Sequence, residues 1–183
     1  KASYIDDGRP TEISILNDNP RFYCIFAGKI KSNNVELAFK HLKEANELTE
    51  IVKDPKGRKT FFLKDPFNNI WQVVEEYSIF VNKRKPTGGS FGVIIGTTQP
   101  EKAMELYSDI LSYDIVAYDL EDSFEDFKGL PGGEGRFRRI LLRHSEVRKG
   151  PFSRLFGPSE IELVQALDRS PEKIFRDRIW GDL

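Results

Sequence analysis

The chain has 183 residues, 39% hydrophobic and 31% charged, a balance that supports one large folded domain or two small ones and argues against a disordered chain. Its 28 Lys and Arg against 29 Asp and Glu leave a formal charge of −1, without the cationic excess that a nucleic-acid or anionic-membrane binder needs. No apolar run approaches the ~20 residues that cross a bilayer, and a single cysteine, Cys24, rules out an internal disulfide and suits a reducing, cytoplasmic setting.

In chain order, "TEISILN" at 11–17 alternates weakly and predicts a short strand, and "RFYCIFAGKI" at 21–30 predicts a stronger one. Asn34 is placed to cap a helix, "NVELAFKHLKEAN", whose Val35, Ala38, Phe39, Leu42 and Ala45 form one apolar stripe. Three strands follow, around 49–53, at 59–65 ("KTFFLKD") and at 69–77 ("NIWQVVEEY"), with "DPKGR" and "DPFNN" as the turns between them. "VNKRKPTGGS" at 81–90 is polar, carries Pro and Gly, and reads as a linker. The pattern then starts again with the strand "SFGVIIGTT" at 90–98 and a capping box, "TQPE", in which Thr98 is the N-cap and Glu101 its partner. The helix "PEKAMELYSDIL" carries Ala103, Leu106, Tyr107 and Ile110 on its stripe, and strands are predicted at 113–119, 136–144 and 159–167. "SPEKIFRDRIW" opens a last short helix with Ser170 as cap and Pro171 at its first position.

One pattern is therefore stated twice: strand, helix, three strands. The copies occupy 21–80 and 90–167, with 81–89 between them, 1–20 as the tail of an earlier module and 168–183 as a helix leading towards a further one. Lining up Phe39 with Tyr107 places Cys24 opposite Gly92; lining up "NIWQVV" with "EIELVQ" places Gln72 opposite Glu162. The second copy is longer through insertions at 121–135 and 145–156. A repeat of this size is an architectural signal in itself.

Two strings make the repeat specific. "GVIIGTTQPEKAMELYSDILSYDIVAYD" resembles the opening of a module in the vicinal oxygen chelate superfamily, which includes glyoxalase I, extradiol dioxygenases and bleomycin-resistance proteins. "FFLKDPFNNIWQVVEE" resembles the closing hairpin of such a module, and the likeness covers 21–77 and 88–167. It implies an α+β fold in which paired βαβββ modules form curled mixed sheets around a cavity, with helices outside. Trp71, Val73, Ile161 and Leu163 would then pack outward on the helices. Ile70, Gln72, Val74, Glu160, Glu162 and Val164 would face inward, as would Cys24, Phe26, Gly92 and Ile94 on the first strands.

The resemblance also implies a divalent metal (Fe, Mn, Zn, Ni or Co) held by first-strand and last-strand ligands with positions left open for a small oxygenated substrate. Such a metal acts as a Lewis acid in lyase, isomerase or dioxygenase chemistry. Glu162 matches the last-strand carboxylate and Gln72 its counterpart. Cys24, a soft-metal ligand at best, and Gly92, with no side chain to offer, hold the first-strand positions. In a four-module array, Glu162 would be completed from beyond Leu183 and Gln72 from before Lys1. The alternative is metal-free sequestration of an aromatic molecule, as in the bleomycin-resistance proteins, which 14 Phe residues and Gly92 favour. Modules of this kind pair within one chain or across two, so a homodimer is a further arrangement to expect.

Each candidate has a plainer reading. Glu162 faces either a cavity or a wet strand surface, and Gln72 is a wall hydrogen-bonder or a ligand. Cys24 behaves as a small buried hydrophobe. His41 points to solvent, and His144 ends a strand beside Arg143, where it would reach a cavity rim and touch substrate. Arg136, Arg138, Arg139 and Arg143 would receive a substrate anion or pair with Glu121, Asp122, Glu125 and Asp126 in a surface salt network. "GLPGGEG" at 129–135 lacks the lysine and spacing of a phosphate loop. With Phe124, Phe127 and Leu130 beside it, it would form a flexible loop or a lid.

Overall fold

Both copies of the repeat lay their strands down in one order. A computed structural model of the chain describes residues 24–44, 46–67, 69–81 and 83–169; the strand predicted at 11–17 and the helix predicted from Ser170 lie outside these. The first copy contains β1 (Cys24–Ser32), α1 (Val35–Leu42), two short strands β2 (Glu47–Leu48) and β3 (Val52–Lys53), β4 (Lys59–Lys64) and β5 (Ile70–Glu75). The second contains β6 (Thr87–Gly96), α2 (Pro100–Glu105) running into a π-helical turn at Leu106–Ile110, and β7 (Ile115–Asp122). A 3-10 turn (Glu125–Phe127), β8 (Phe137–Arg143), α3 (Ser153–Phe156) and β9 (Glu160–Ala166) complete it. No helix among the described residues is long and apolar enough to cross a membrane.

All strands join one mixed, open sheet in the order β2-β4-β5-β1-β6-β9-β8-β7, with β3 on β4. Within each copy the first and last strands are parallel neighbours, β1 with β5 and β6 with β9. Such pairs require a long crossover, and the helix and remaining strands supply it. The copies meet at an antiparallel seam between β1 and β6, so the two modules pair within one chain.

Alternation sorts the two faces as expected. On the outer face, Val35 and Ala38 of α1 pack on Phe61, Leu63 and Val73, with Trp71 beside them; Ala103, Met104 and Tyr107 pack on Ile140, Leu142, Ile161 and Leu163. The Asn34 cap forms, its Oδ1 accepting from the Leu37 N–H at 2.9 Å. The Thr98 capping box does not. Pro100 opens α2, where its missing N–H is no loss, so Gln99 becomes the N-cap and bonds nothing through its side chain. The predicted stripe of the second helix also slips. The wide π-helical turn swings Leu106 and Ile110 out to 48% and 70% exposure, and Met104 takes an inward place.

The register between copies differs accordingly. Gln72 lies beside Lys29 and Phe62, and Glu162 beside Ile94 and Leu141, so Lys29 corresponds to Ile94, not Cys24 to Gly92. The lining-up of Phe39 with Tyr107 is one helical turn off, because Met104 and Tyr107 share a stripe. The predicted linker is also shorter than 81–90: β6 begins at Thr87, and Gly89, at φ +95, carries an irregularity opposite β1.

On the inner face, Ala27, Phe62, Ile70, Ile94, Phe137 and Val164 form an apolar floor. The 121–135 insertion does not hover over it as a lid; it fills it. Phe124, Phe127 and Leu130 are buried there, and the Phe127 ring sits 5.5–6.3 Å from those of Phe26, Phe62, Phe124 and Phe137. Each such side chain contributes about 1.5–3 kcal/mol through burial. The loop closes tightly enough that a Cβ at Gly133 would lie 1.7 Å from the Phe127 carbonyl oxygen.

Candidate functional site

The period of β9 aims Glu160 and Glu162 at the inner face, and both are fully buried. Neither meets water. Lys29 of β1 reaches across the seam and places Nζ 2.7 Å from Glu160 Oε1 and 2.7 Å from Glu162 Oε2. Arg58 grips Glu160 as a two-pronged fork, Nη1 to Oε2 at 3.0 Å and Nη2 to Oε1 at 2.9 Å. The "DPKGR" turn aims that fork: Asp54 accepts from the Lys56 and Arg58 backbone N–H groups at 3.0 and 2.8 Å and from Arg58 Nε at 2.8 Å.

Glu162 is closed from the other side as well. Arg139 Nε donates to its Oε1 at 2.6 Å and the Tyr118 hydroxyl donates to the same oxygen at 2.7 Å. Arg139 Nη1 donates to Asp126 Oδ1 at 2.6 Å, and the guanidinium lies 3.9 Å from the centre of the Phe127 ring. The apolar plug and the ion network are thus one packed unit. The predicted arginine cluster is split by strand alternation: Arg138 bridges Asp119 and Glu101 at the surface, while Arg139 and Asp126, expected at the surface, are buried.

The network settles the charge states. Burial alone would discharge Lys29, but Glu160 and Glu162 outweigh it and raise its pKa. Burial likewise pushes both glutamates up, and their cations overcome it, Arg139 and Lys29 at Glu162 and Lys29 and Arg58 at Glu160, so both titrate below the ordinary range. Asp126 goes the other way: burial raises it despite Arg139, and Glu162 adds repulsion. Acid therefore acts in two directions. The depressed glutamates contribute stability that is complete above their unfolded value of 4.5 and lost as pH falls from there towards their folded values. Protonation of Asp126 opposes this loss from a higher pH. The raised Lys29 contributes fully below 10.5 and loses its share as pH rises through its folded value. Thermal melts should show a melting temperature that falls steeply below about pH 4.5, with a shallower acid limb in Glu162→Gln; an unchanged limb would contradict the assignment.

The structure brings Phe26, Ile94 and Val164 together in the apolar cluster, Glu160 and Glu162 in the ion network, and Gln72 onto the same face beside Lys29. Gln72 is fully buried, and neither its amide oxygen nor its nitrogen has a hydrogen-bond partner among the described residues. At Gly92 a Cβ would lie 1.8 Å from the Glu160 carbonyl oxygen, so no side chain fits there. The Cys24 backbone pairs with Gly96, and its side chain lies outside the described set.

These residues do not fit a divalent cation. Both Glu162 oxygens already face cations, and the first-strand neighbours of Glu162 and Gln72 are Ile94 and Lys29, neither of which is a ligand in this state. Among the described residues, no group of three or more His, Cys, Asp and Glu side chains is placed to hold a metal. Sequence reasoning missed Lys29, Arg58 and Tyr118. The signal for Lys29 was present: it is a basic residue at an inward position of β1, two residues beyond Ala27 on the same face.

His144 stands apart from this network at the end of β8. Its Nδ1 donates to the Ser112 carbonyl oxygen at 2.6 Å, its Nε2 accepts from Arg148, and its ring stacks on Tyr113 at 3.8 Å. There it lines a rim cavity of about 260 Å³ with Arg143, Arg148, Ser153 and Ser159.

No family model and no curated protein matches the chain. Among solved structures it is similar to glyoxalase I from Zea mays (12% identity, TM-score 0.49, covering 80% of this chain and 44% of that one). It is also similar to a candidate dioxygenase from Bacillus subtilis (15%, 0.48, 78% and 40%). A third is Streptomyces coelicolor methylmalonyl-CoA epimerase in complex with 2-nitronate-propionyl-CoA (16%, 0.42, 79% and 97%). The likeness to each is one of fold alone. The chain spans less than half the length of the first two.

Proposed function

We propose that the protein binds a small organic molecule without a metal, at the open rim of the second module and not over Glu162. The observation that supports this most directly is the Lys29 ammonium, which lies 2.7 Å from each of the two buried glutamates and supplies from within the chain the positive charge they require. The centre of the inner face is packed with Phe127 and its neighbours; a second cavity, of about 380 Å³, lies at its edge beside Phe62 and Ile70, and the rim cavity beside His144 is the one of the two that carries two arginines. Its small volume suits a compact ligand.

Metal analysis of the purified protein, with melting curves in chelator and with added Mn, Fe, Co, Ni or Zn, tests the first half. The expected result is no retained metal and no gain in melting temperature; a stoichiometric, stabilising metal overturns it. A thermal-shift screen of small aromatic and oxygenated compounds under chelator tests the second half. A ligand at one hundred times its Kd should add about 2.7 kcal/mol of stability.

A further inference from the structure

We infer that the rim cavity is an oxyanion site, taking a small organic carboxylate or phosphate monoester on Arg143 and Arg148. This rests on the reading that the rim is where a ligand binds, and it adds the chemistry of that ligand.

The argument starts from β8. Arg143 is half-buried at its end, its side chain has neither a hydrogen bond nor an ion pair among the described residues, and its cross-strand neighbour is Glu160. That carboxylate would be its natural partner, but both Glu160 oxygens are held by Lys29 and Arg58. Arg143 is left as a surplus cation in a concavity. Arg148, also in the lining, has only neutral partners among the described residues: it donates from Nη2 to the Leu111 carbonyl oxygen at 2.9 Å and from Nε to His144 Nε2 at 3.0 Å. His144 cannot offer a proton to a ligand through that nitrogen; it braces the arginine, and Tyr113 braces the histidine.

The acidic groups nearby do not cancel this. Glu146 is the one carboxylate in the lining, and it is exposed. Asp114, on the adjoining wall, is engaged by the Ser145 backbone N–H at 2.9 Å and by the Ser145 hydroxyl. The Arg143 guanidinium, with Nη1 of Arg148 beside it in the lining of one small cavity, matches the flat, multi-oxygen end of a carboxylate or phosphate.

Calorimetric titration of the full chain under chelator, at constant ionic strength, compares phenyl phosphate, benzoate and uncharged benzyl alcohol. Binding of one or both anions and none of the alcohol is expected; whichever anion binds more tightly identifies the source of the oxyanion. Arg143→Gln should weaken binding about 10- to 100-fold, as loss of a charge-assisted hydrogen bond does, while Arg143→Lys retains part and Glu146→Gln loses none. Equal binding of all three probes, or unchanged binding in both Arg143→Gln and Arg148→Gln, overturns the oxyanion assignment while leaving a rim ligand in place. No binding of any probe, with stabilisation by Zn or Mn instead, overturns the metal-free reading itself. A wild-type far-UV spectrum and melting temperature certify each variant as folded before titration.

Discussion

Replacing Lys29 by methionine should cost about 3–5 kcal/mol of stability, the range for removing one partner of a buried ion pair. Methionine matches the length of the lysine stem, so the loss is electrical and not volumetric. Glu160 keeps Arg58 and Glu162 keeps Arg139, but the two carboxylates lose the ammonium that stands 2.7 Å from each. For a chain of this size the melting temperature should fall by roughly 10 °C. Lys29→Met combined with Glu162→Gln removes a negative charge along with the positive one and should recover much of the loss. Urea titrations of the single and double variants measure both. A Lys29→Met protein as stable as wild type would show that the ammonium does not hold the carboxylates as described.

Phe127→Ala should cost a comparable ~3–5 kcal/mol, the range for emptying a buried aromatic site. The ring packs edge-on or tilted against four other Phe rings and lies under the Arg139 guanidinium, so its removal both opens a cavity and lets water reach a buried cation. Phe67→Ala, at a ring 80% exposed, is the matched control and should change stability by less than about 0.5 kcal/mol. Benzene or toluene should stabilise the Phe127→Ala protein selectively by refilling the space. If Phe127→Ala and Phe67→Ala behaved alike, the insertion would not be packed on the inner face.

Much of this architecture is legible in the sequence. Strand alternation assigns Trp71, Val73, Ile161 and Leu163 to the helices and Glu160, Glu162 and Val164 to the inner face, because a period of two leaves no freedom once one side is buried. The repeat announces the paired modules. What alternation cannot supply is the partner across the sheet. Lys29 and Glu160 are 131 residues apart, and Arg58 and Glu160 are 102 apart; nothing local links them. Arg138 and Arg139 look alike in a row of letters, yet one is a surface residue and the other sits at the centre. The slip between Tyr107 and Met104 has the same origin, since two residues on one helical stripe are interchangeable until the strand register picks one. The plug was misjudged for a reason of composition. Glycines in 129–135 suggest freedom, but at Gly133 the missing side chain serves a close approach to Phe127.

The seam has a consequence for how the halves depend on each other. The ammonium and the fork come from one copy of the repeat and the glutamates from the other, while at the place matching Lys29 the second copy has Ile94. Two second copies brought face to face would crowd four glutamates with two buried arginines, and two first copies would leave both Lys29 ammonium groups without their carboxylates. The halves thus act as donor and acceptor: Lys29 of one supplies a charge that both glutamates of the other need, and that neither half could supply to a copy of itself.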